Sequence, residues 1–182
     1  MNIPEYHELL VVGAGAAGMA AAAAASDSGI RDLVLIEKDY QPGGRLLREK
    51  NKKSGIRIFG TAIGNEAFRD RFLRFLSDYE VPLRCGIELL DIDSDQEGFL
   101  LKLEDEEGLP LEMHCRGLIL ASGDNAALRE SLPAFVSELK REGAPIYFQT
   151  AGDLIEKCSL ADEAAENGAQ AGREAAGYLL KR

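Results

Sequence analysis

The apolar positions of this chain come first in unbroken runs and later in alternation. Residues 9–12 (Leu9, Leu10, Val11, Val12) and residues 33–36 form short continuous apolar runs of the kind that buried parallel strands carry. Between them lie a glycine-rich turn and an alanine-rich helical stretch. Residues 47–62 are basic and poorly periodic and read as a loop. A helix follows over residues 66–79, with Asn65 as its cap and Phe68, Phe72, Phe75 and Leu76 at helical spacing as a core stripe. Residues 81–85 make a short strand. Three alternating runs, 87–92, 99–103 and 111–115, read as an antiparallel meander joined by acidic or glycine-containing turns. Residues 117–120 return to the buried-strand pattern and end on the small residues Ala121, Ser122 and Gly123. A helix-like segment, 125–142, is closed by Gly143, Ala144 and Pro145. A strand over 146–150 leads to Ala151, Gly152 and Asp153, and a short loop to Ser159 precedes a final helix through Leu180. Alternating strands and helices of this kind make an α/β fold with a parallel sheet.

The first strand, helix and second strand carry the clearest chemistry. Gly13 suits a sharp strand-to-helix turn, Gly15 a backbone that approaches a pyrophosphate, and Gly18 a helix packed tightly on its strand. The N–H groups and positive dipole end over Gly15, Ala16, Ala17 and Gly18 suit a pair of phosphates. Glu37 stands at the tip of the second strand, 22 positions after Gly15. That is close to the spacing of about 20 at which an acid takes the hydroxyls of a ribose. The ligand implied is an adenine dinucleotide. Lys38 follows directly, and then Pro42, Gly43, Gly44, Arg45 and Leu46 form a loop beside the same sheet edge, with backbone N–H groups and one cation available to a ligand. Asp153 is a second acid at a strand tip just before a helix, which makes a second polar site on that edge.

Composition narrows the partners. With 182 residues, 46% apolar and 29% charged, the chain is ordinary for one soluble domain, residues 1–182, with the meander inserted at about 86–117. A formal charge of −10 argues against nucleic acid and anionic membranes, and no apolar run approaches the roughly 20 residues of a membrane span. The expected location is the cytoplasm. The acids at residues 91–107 read as a solvated hairpin. The basic cluster Lys50, Lys52, Lys53 and Arg57 reads as a solvated loop, with an anionic group or acidic partner as the other reading. Cys85, Cys115 and Cys158 form no CxxC pair and no metal-ligand spacing, so no metal is expected. Cys158, just before the final helix, reads as a small buried filler. His7 and His114 read as structural.

Four blocks together resemble the FAD-binding domain of the two-dinucleotide-fold flavoproteins, the family of thioredoxin reductase and glutathione reductase. They are residues 13–18 with Glu37, residues 42–46, residues 118–123 with Ser122 where the family carries threonine, and Ala151, Gly152 and Asp153 followed by residues 167–171. The resemblance implies a Rossmann-like three-layer fold, with a central parallel sheet, helices on one face and the three-stranded meander on the other. It implies FAD as cofactor. Asp153 would then hydrogen-bond the ribityl chain, Leu160 and Ala161 would offer backbone N–H groups to the flavin pyrimidine edge, and the backbone at Glu88 and Leu89 would touch adenine. Ala121, Ser122, Gly123 and Gly152 would belong to the same site. The family inserts a whole nicotinamide domain where this chain has only residues 124–144, and no second GxGxxG occurs.

Three functions stay open on the sequence. The first is a minimal FAD-dependent oxidoreductase completed by a redox partner protein, a homo-oligomer mate or a small molecule, with no residue assigned as catalytic. The second is a non-catalytic subunit that keeps the FAD fold. The third is a protein that binds NAD alone, against which Asp153 and the last helix argue.

Overall fold

The computed structural model describes residues 4–50, 53–142, 146–154, 158 and 160–181. Its elements are β1 (Glu5–Val12), α1 (Ala16–Asp27), β2 (Leu33–Glu37), α2 (Arg45–Arg48), α3 (Ile56–Phe59), α4 (Asn65–Asp78), β3 (Leu83–Cys85), β4 (Glu88–Ser94), β5 (Phe99–Glu104), β6 (Pro110–Leu120), α5 (Ala126–Glu142), β7 (Tyr147–Thr150) and α6 (Ala161–Leu179). A single 3-10 turn, Gly152–Leu154, follows β7.

The hinge of the architecture is β6. From Met113 to its end it lies parallel to β1, from the pair Glu5 and Met113 to the pair Val12 and Leu120. On its other side, the first half runs antiparallel to β5 and the second half parallel to β7. The sequence pattern divides this strand into two runs, and it hides the first half of β1 because Glu5 and Tyr6 are exposed. Pairing joins the halves. Gly117 sits at the junction because a side chain there would meet Leu179 Cδ1 at 2.8 Å and Leu9 Cδ1 at 3.1 Å.

The sheet order β3-β2-β1-β6-β5-β4, with β7 beside the end of β6, sends β1, β2, β6 and β7 in one direction. Alternate residues of these strands then face two separate cores. Leu9, Val11, Leu33, Leu35 and Ile119 pack under the helices α1, α4 and α6. Leu10, Val12, Val34, Ile36, Leu118 and Leu120 pack against Phe99, Leu101, Leu103 and Met113 of the meander. These are the expected three layers. Helix α5 adds to the meander side, where Phe135 meets Phe148 at 5.3 Å and Phe99 at 6.2 Å between ring centroids.

Helix α1 is buried on nearly every side, which fits its run of alanines. Its axis lies close against α6. A side chain in place of Gly168 would stand 2.0 Å from Ala17 O, and one in place of Gly172 would stand 2.1 Å from Ala21 O.

The stretch expected as a plain loop, 47–62, contains half of α2 and all of α3, each four residues and too short to leave a period in the sequence. Asp162, 1% exposed, holds α3 in place: its carboxylate accepts hydrogen bonds from Gly55 N at 2.9 and 3.0 Å and from Ile58 N at 3.4 Å. Asn65 does not cap α4. Gly64 holds the cap position, and the buried Asn65 side chain instead accepts from Ser54 Oγ at 2.6 Å and donates to Glu49 O at 2.6 Å. The expected break at Gly143, Ala144 and Pro145, the expected loop end at Ser159, and Lys52 of the basic cluster lie outside the described residues. Among the described residues no helix is long and apolar enough to cross a membrane.

Candidate dinucleotide site

Because β1, β2, β6 and β7 are parallel, their carboxyl ends reach one edge of the sheet. Open α/β sheets bind ligands at this edge, where the strand order changes direction. Here that point lies between β1 and β6, with residues 13–15 following one and 121–123 following the other. A cavity of about 1120 Å3 runs along it. Its wall includes Gly13, Gly15, Ala16, Ala17, Glu37, Lys38, Gly43, Gly44, Arg45, Leu46, Glu88, Leu89, Ala121, Ser122, Gly123, Gly152, Asp153 and Ala161. Two residues named on the sequence are not on that wall. Gly18 stands behind it, and the Leu160 N–H points at the Glu163 carboxylate at 3.4 Å. His7 and His114 are elsewhere: His7 Nδ1 pairs with Asp32 Oδ1 at 2.8 Å, and His114 stacks on Tyr6.

The glycine turn is built by backbone contacts. Gly13 has φ +100°, which an L side chain rarely adopts, and its N–H donates to Ile36 O at 2.8 Å. A Cβ on Gly18 would stand 1.7 Å from Gly13 O, whereas one on Gly15 would meet nothing within 4 Å. The middle glycine therefore borders open space at the N-terminus of α1, and the last one makes a contact inside the protein.

Glu37, 6% exposed, braces this turn. Its Oε2 accepts from Ala14 N at 2.7 Å and its Oε1 from Asp39 N at 3.0 Å. A carboxylate holds about four acceptor positions, so two remain for a ligand hydroxyl. The Gly-Gly loop is tied to the same place, but through an N–H expected to face a ligand: Gly43 N donates to Ala14 O at 2.8 Å.

At the other end, Arg45 and Asp153 meet across the cavity, Nη1 to Oδ2 at 2.9 Å. Arg45 Nη2 also donates to Cys158 O at 2.7 Å, and Cys158 N donates to Asp153 Oδ1 at 2.7 Å. Arg45 thus clamps the Gly-Gly loop to the turn after β7. Asn167 of α6 fixes the start of that turn by accepting from Gly152 N at 2.8 Å. Ser122 contributes a buried hydroxyl on the cavity wall that has no hydrogen-bond partner among the described residues.

Sequence reasoning missed the contribution of α5. Asn125, Leu128, Arg129 and Ser131 line the cavity, and Arg129 Nη2 reaches Asp153 O at 2.7 Å and Asp124 Oδ1 at 2.9 Å. The available signal was Asn125, whose Oδ1 accepts from Leu128 N at 3.2 Å at the helix start.

The cysteines near the site are poor nucleophiles. Burial raises the Cys158 thiol pKa above the usual value, and the carboxylates of Asp153 and Glu163 raise it further. Burial and then Glu37 do the same to Cys85. A raised pKa leaves less thiolate at neutral pH, so both thiols will react with iodoacetamide more slowly than free cysteine at about pH 7.5 and gain rate as the pH rises beyond about 9. Mass spectrometry of the labelled protein reads this; Cys158 alkylating at the free-thiol rate near neutral pH would contradict it.

The chain has a Rossmann-like fold, with helices on one face of a mostly parallel sheet, the meander on the other, and a cavity along the carboxyl ends of its parallel strands. Comparison with known proteins agrees. Residues 11–76 match the family model described as an NAD(P)-binding Rossmann-like domain. A stretch of 53 residues is 49% identical to one of the subunits of the opine oxidase from Agrobacterium tumefaciens (strain Ach5), covering 29% of this chain and 10% of that one. Among solved structures, THI4 of Thermovibrio ammonificans superimposes with a TM-score of 0.72 at 11% identity, over 97% of this chain and 91% of that one. A ferredoxin-flavin thioredoxin reductase from Clostridium acetobutylicum gives 0.68 at 12% identity, over 97% and 98%. The bacillithiol disulfide reductase of Bacillus cereus gives 0.55 at 14% identity, and the match spans 40% of its length.

Proposed function

We propose that this chain is a flavoprotein oxidoreductase component that binds FAD along the sheet edge and passes electrons or hydride through it. The observation that carries the reading is the continuity of one cavity from Glu37 and Glu88 to Asp153 and Ala161, with polar groups at both ends. Three features suit such a ligand: the open space at Gly15, the buried Ser122 hydroxyl with no partner among the described residues, and the acceptor positions left on Glu37. Bound FAD would supply the electron chemistry that no assigned side chain provides.

The chain's own residues hold and tune the ligand. The first turn of α1 offers N–H groups and its positive dipole end to the pyrophosphate, and Glu37 accepts from the adenosine ribose. Glu88 and Leu89 border the adenine. Asp153, positioned by Arg45, accepts from the ribityl hydroxyls. Ala161 begins the 19-residue helix α6, whose positive end stabilises negative charge gathering on the ligand at that side. The redox partner is a second protein, a second copy or a small molecule. The kinship with one component of a named oxidase supports a place in an assembly. The proposed location is the cytoplasm, which the free cysteines Cys85, Cys115 and Cys158 suit.

The test is the absorption spectrum of the purified protein with the mass of the nucleotide released by heat. The expected result is a yellow protein that releases FAD. A colourless protein that takes up no added FAD overturns the reading, and release of NAD would assign the cavity to the shorter series of nicotinamide ligands. Reduction by dithionite followed by fast reoxidation with quinone or ferricyanide supports electron transfer, while an inert flavin would leave a binding protein without catalysis.

A further inference from the structure

Charge is divided unevenly over this acidic molecule. Nine of its 21 Lys and Arg residues but three of its 31 Asp and Glu residues fall between Arg45 and Arg74. The reverse holds for Glu88 to Glu112, which carries ten acids and one lysine. Six of the nine cations lie on α2, α3 and α4 (Arg45, Arg48, Arg57, Arg69, Arg71 and Arg74), whereas the acids lie on the strands and turns of the meander, β4 to β6.

The basic surface also carries apolar side chains. Phe75 is 39% exposed, Leu47 43% and Ile56 53%. Arg71 lies over the Phe59 ring at 4.8 Å, and Phe59 meets Phe75 at 6.2 Å, so α3 and α4 form one continuous face. Arg74 is exposed on α4 and makes no ion pair among the described residues. Arginine beside half-exposed aromatic side chains is the composition of an interface centre.

The acidic surface contains a matching hollow. Tyr40, Glu88, Glu104, Glu106, Glu107 and Lys38 line a concavity of about 400 Å3, with Tyr40 75% exposed. Leu109, 53% exposed, lies beside it, and Glu106 and Glu107 make no ion pair among the described residues. A helical face bearing arginines and a concave acidic patch bearing an exposed tyrosine are complementary in charge. They belong to the same chain.

We infer that this protein self-associates head to tail, with the α3–α4 face of one copy seated in the acidic hollow of the next. The contact joins two different surfaces, so it repeats from copy to copy and builds a ring or a short filament. Lys38 and Glu88 line both the hollow and the large cavity, so the neighbouring copy covers the Glu88 end of the dinucleotide site. The contact itself does not depend on which dinucleotide the cavity holds.

Sedimentation velocity of the full chain tests this at low and high ionic strength, with two charge-reversal variants, Arg71→Glu with Arg74→Glu and Glu106→Lys with Glu107→Lys. The expected wild-type result is a concentration-dependent oligomer at low salt that falls apart at high salt. Each variant alone weakens association roughly tenfold or more and sediments as monomer. An equimolar mixture of the two then associates again, because the intact basic face of one variant meets the intact acidic hollow of the other and the two reversed surfaces are themselves opposite in charge. Thermal melts of each variant confirm that it folds. A wild type that is monomeric at every salt, an oligomer untouched by either variant, or a mixture that stays monomeric overturns the inference. So does a monomer whose Arg71 and Arg74 bind an added polyglutamate or oligonucleotide, which gives the basic face to another partner.

Discussion

Two alanine substitutions three positions apart will damage different properties, one stability and the other affinity. Gly18→Ala puts a methyl group 1.7 Å from Gly13 O, a backbone atom locked by the turn and unable to rotate away. The helix must shift off the strand, at a cost of about 3 kcal/mol or more, and the melting temperature falls by about 10 °C. Gly15→Ala meets nothing within 4 Å and sits at φ −76°, which alanine adopts freely. That protein folds with an unchanged melting temperature, but its methyl group occupies the space beside the α1 N-terminus. FAD affinity will fall at least about tenfold, roughly 1.4 kcal/mol. Thermal melts with and without FAD, and titration of the apoprotein by flavin fluorescence, separate the two effects. Equal affinity in Gly15→Ala and wild type would show that the ligand does not approach this backbone.

The second large effect belongs to Glu37. In Glu37→Gln the side chain keeps its shape, but one of its two acceptor oxygens becomes an NH2 group. That group faces either Ala14 N or Asp39 N, donor against donor. A buried donor left without an acceptor costs about 1–3 kcal/mol, and the variant is destabilised by that amount even without ligand. It also loses an acceptor for the ribose, so FAD binding weakens more than about tenfold beyond the loss of stability. Isothermal titration with FAD and, separately, with FMN reads the difference. FMN lacks the adenosine half, so its weaker binding should hardly change. An equal loss for both ligands would mean that Glu37 acts only by holding the turn.

These effects explain what could be read in advance. The glycine turn, the acid at the tip of β2, the Gly-Gly loop and the Gly-Asp turn were legible because each demands particular residue types locally: a missing Cβ, a carboxylate, a free backbone. The aromatic stripe of α4 was legible from its period, although Asn65 proved to be a buried link to Ser54 and Glu49 rather than a cap. The hydrogen-bonding roles of Asp162 and Asn167 were not legible, although residue 167 belongs to the closing block read from the sequence. Their partners, Gly55 and Gly152, lie 107 and 15 positions away, and an isolated polar residue on a helix carries no mark of what it will meet. Arg129 was missed because α5 reads as an ordinary amphipathic helix; only the packing of Leu128, Leu132 and Phe135 on the meander side brings its first turn to the cavity.

By itself the sequence determined which segments become strands and helices, and which backbone positions must stay without a side chain. Apolar period and residue size act over a few neighbours, and a linear chain records both. The tertiary structure decided that β6 is one strand shared by the meander and the parallel sheet, and that Arg45 pairs with Asp153 across the cavity. Each of these depends on which strands pair and in what direction, and pairing joins residues whose separation along the chain carries no local signal.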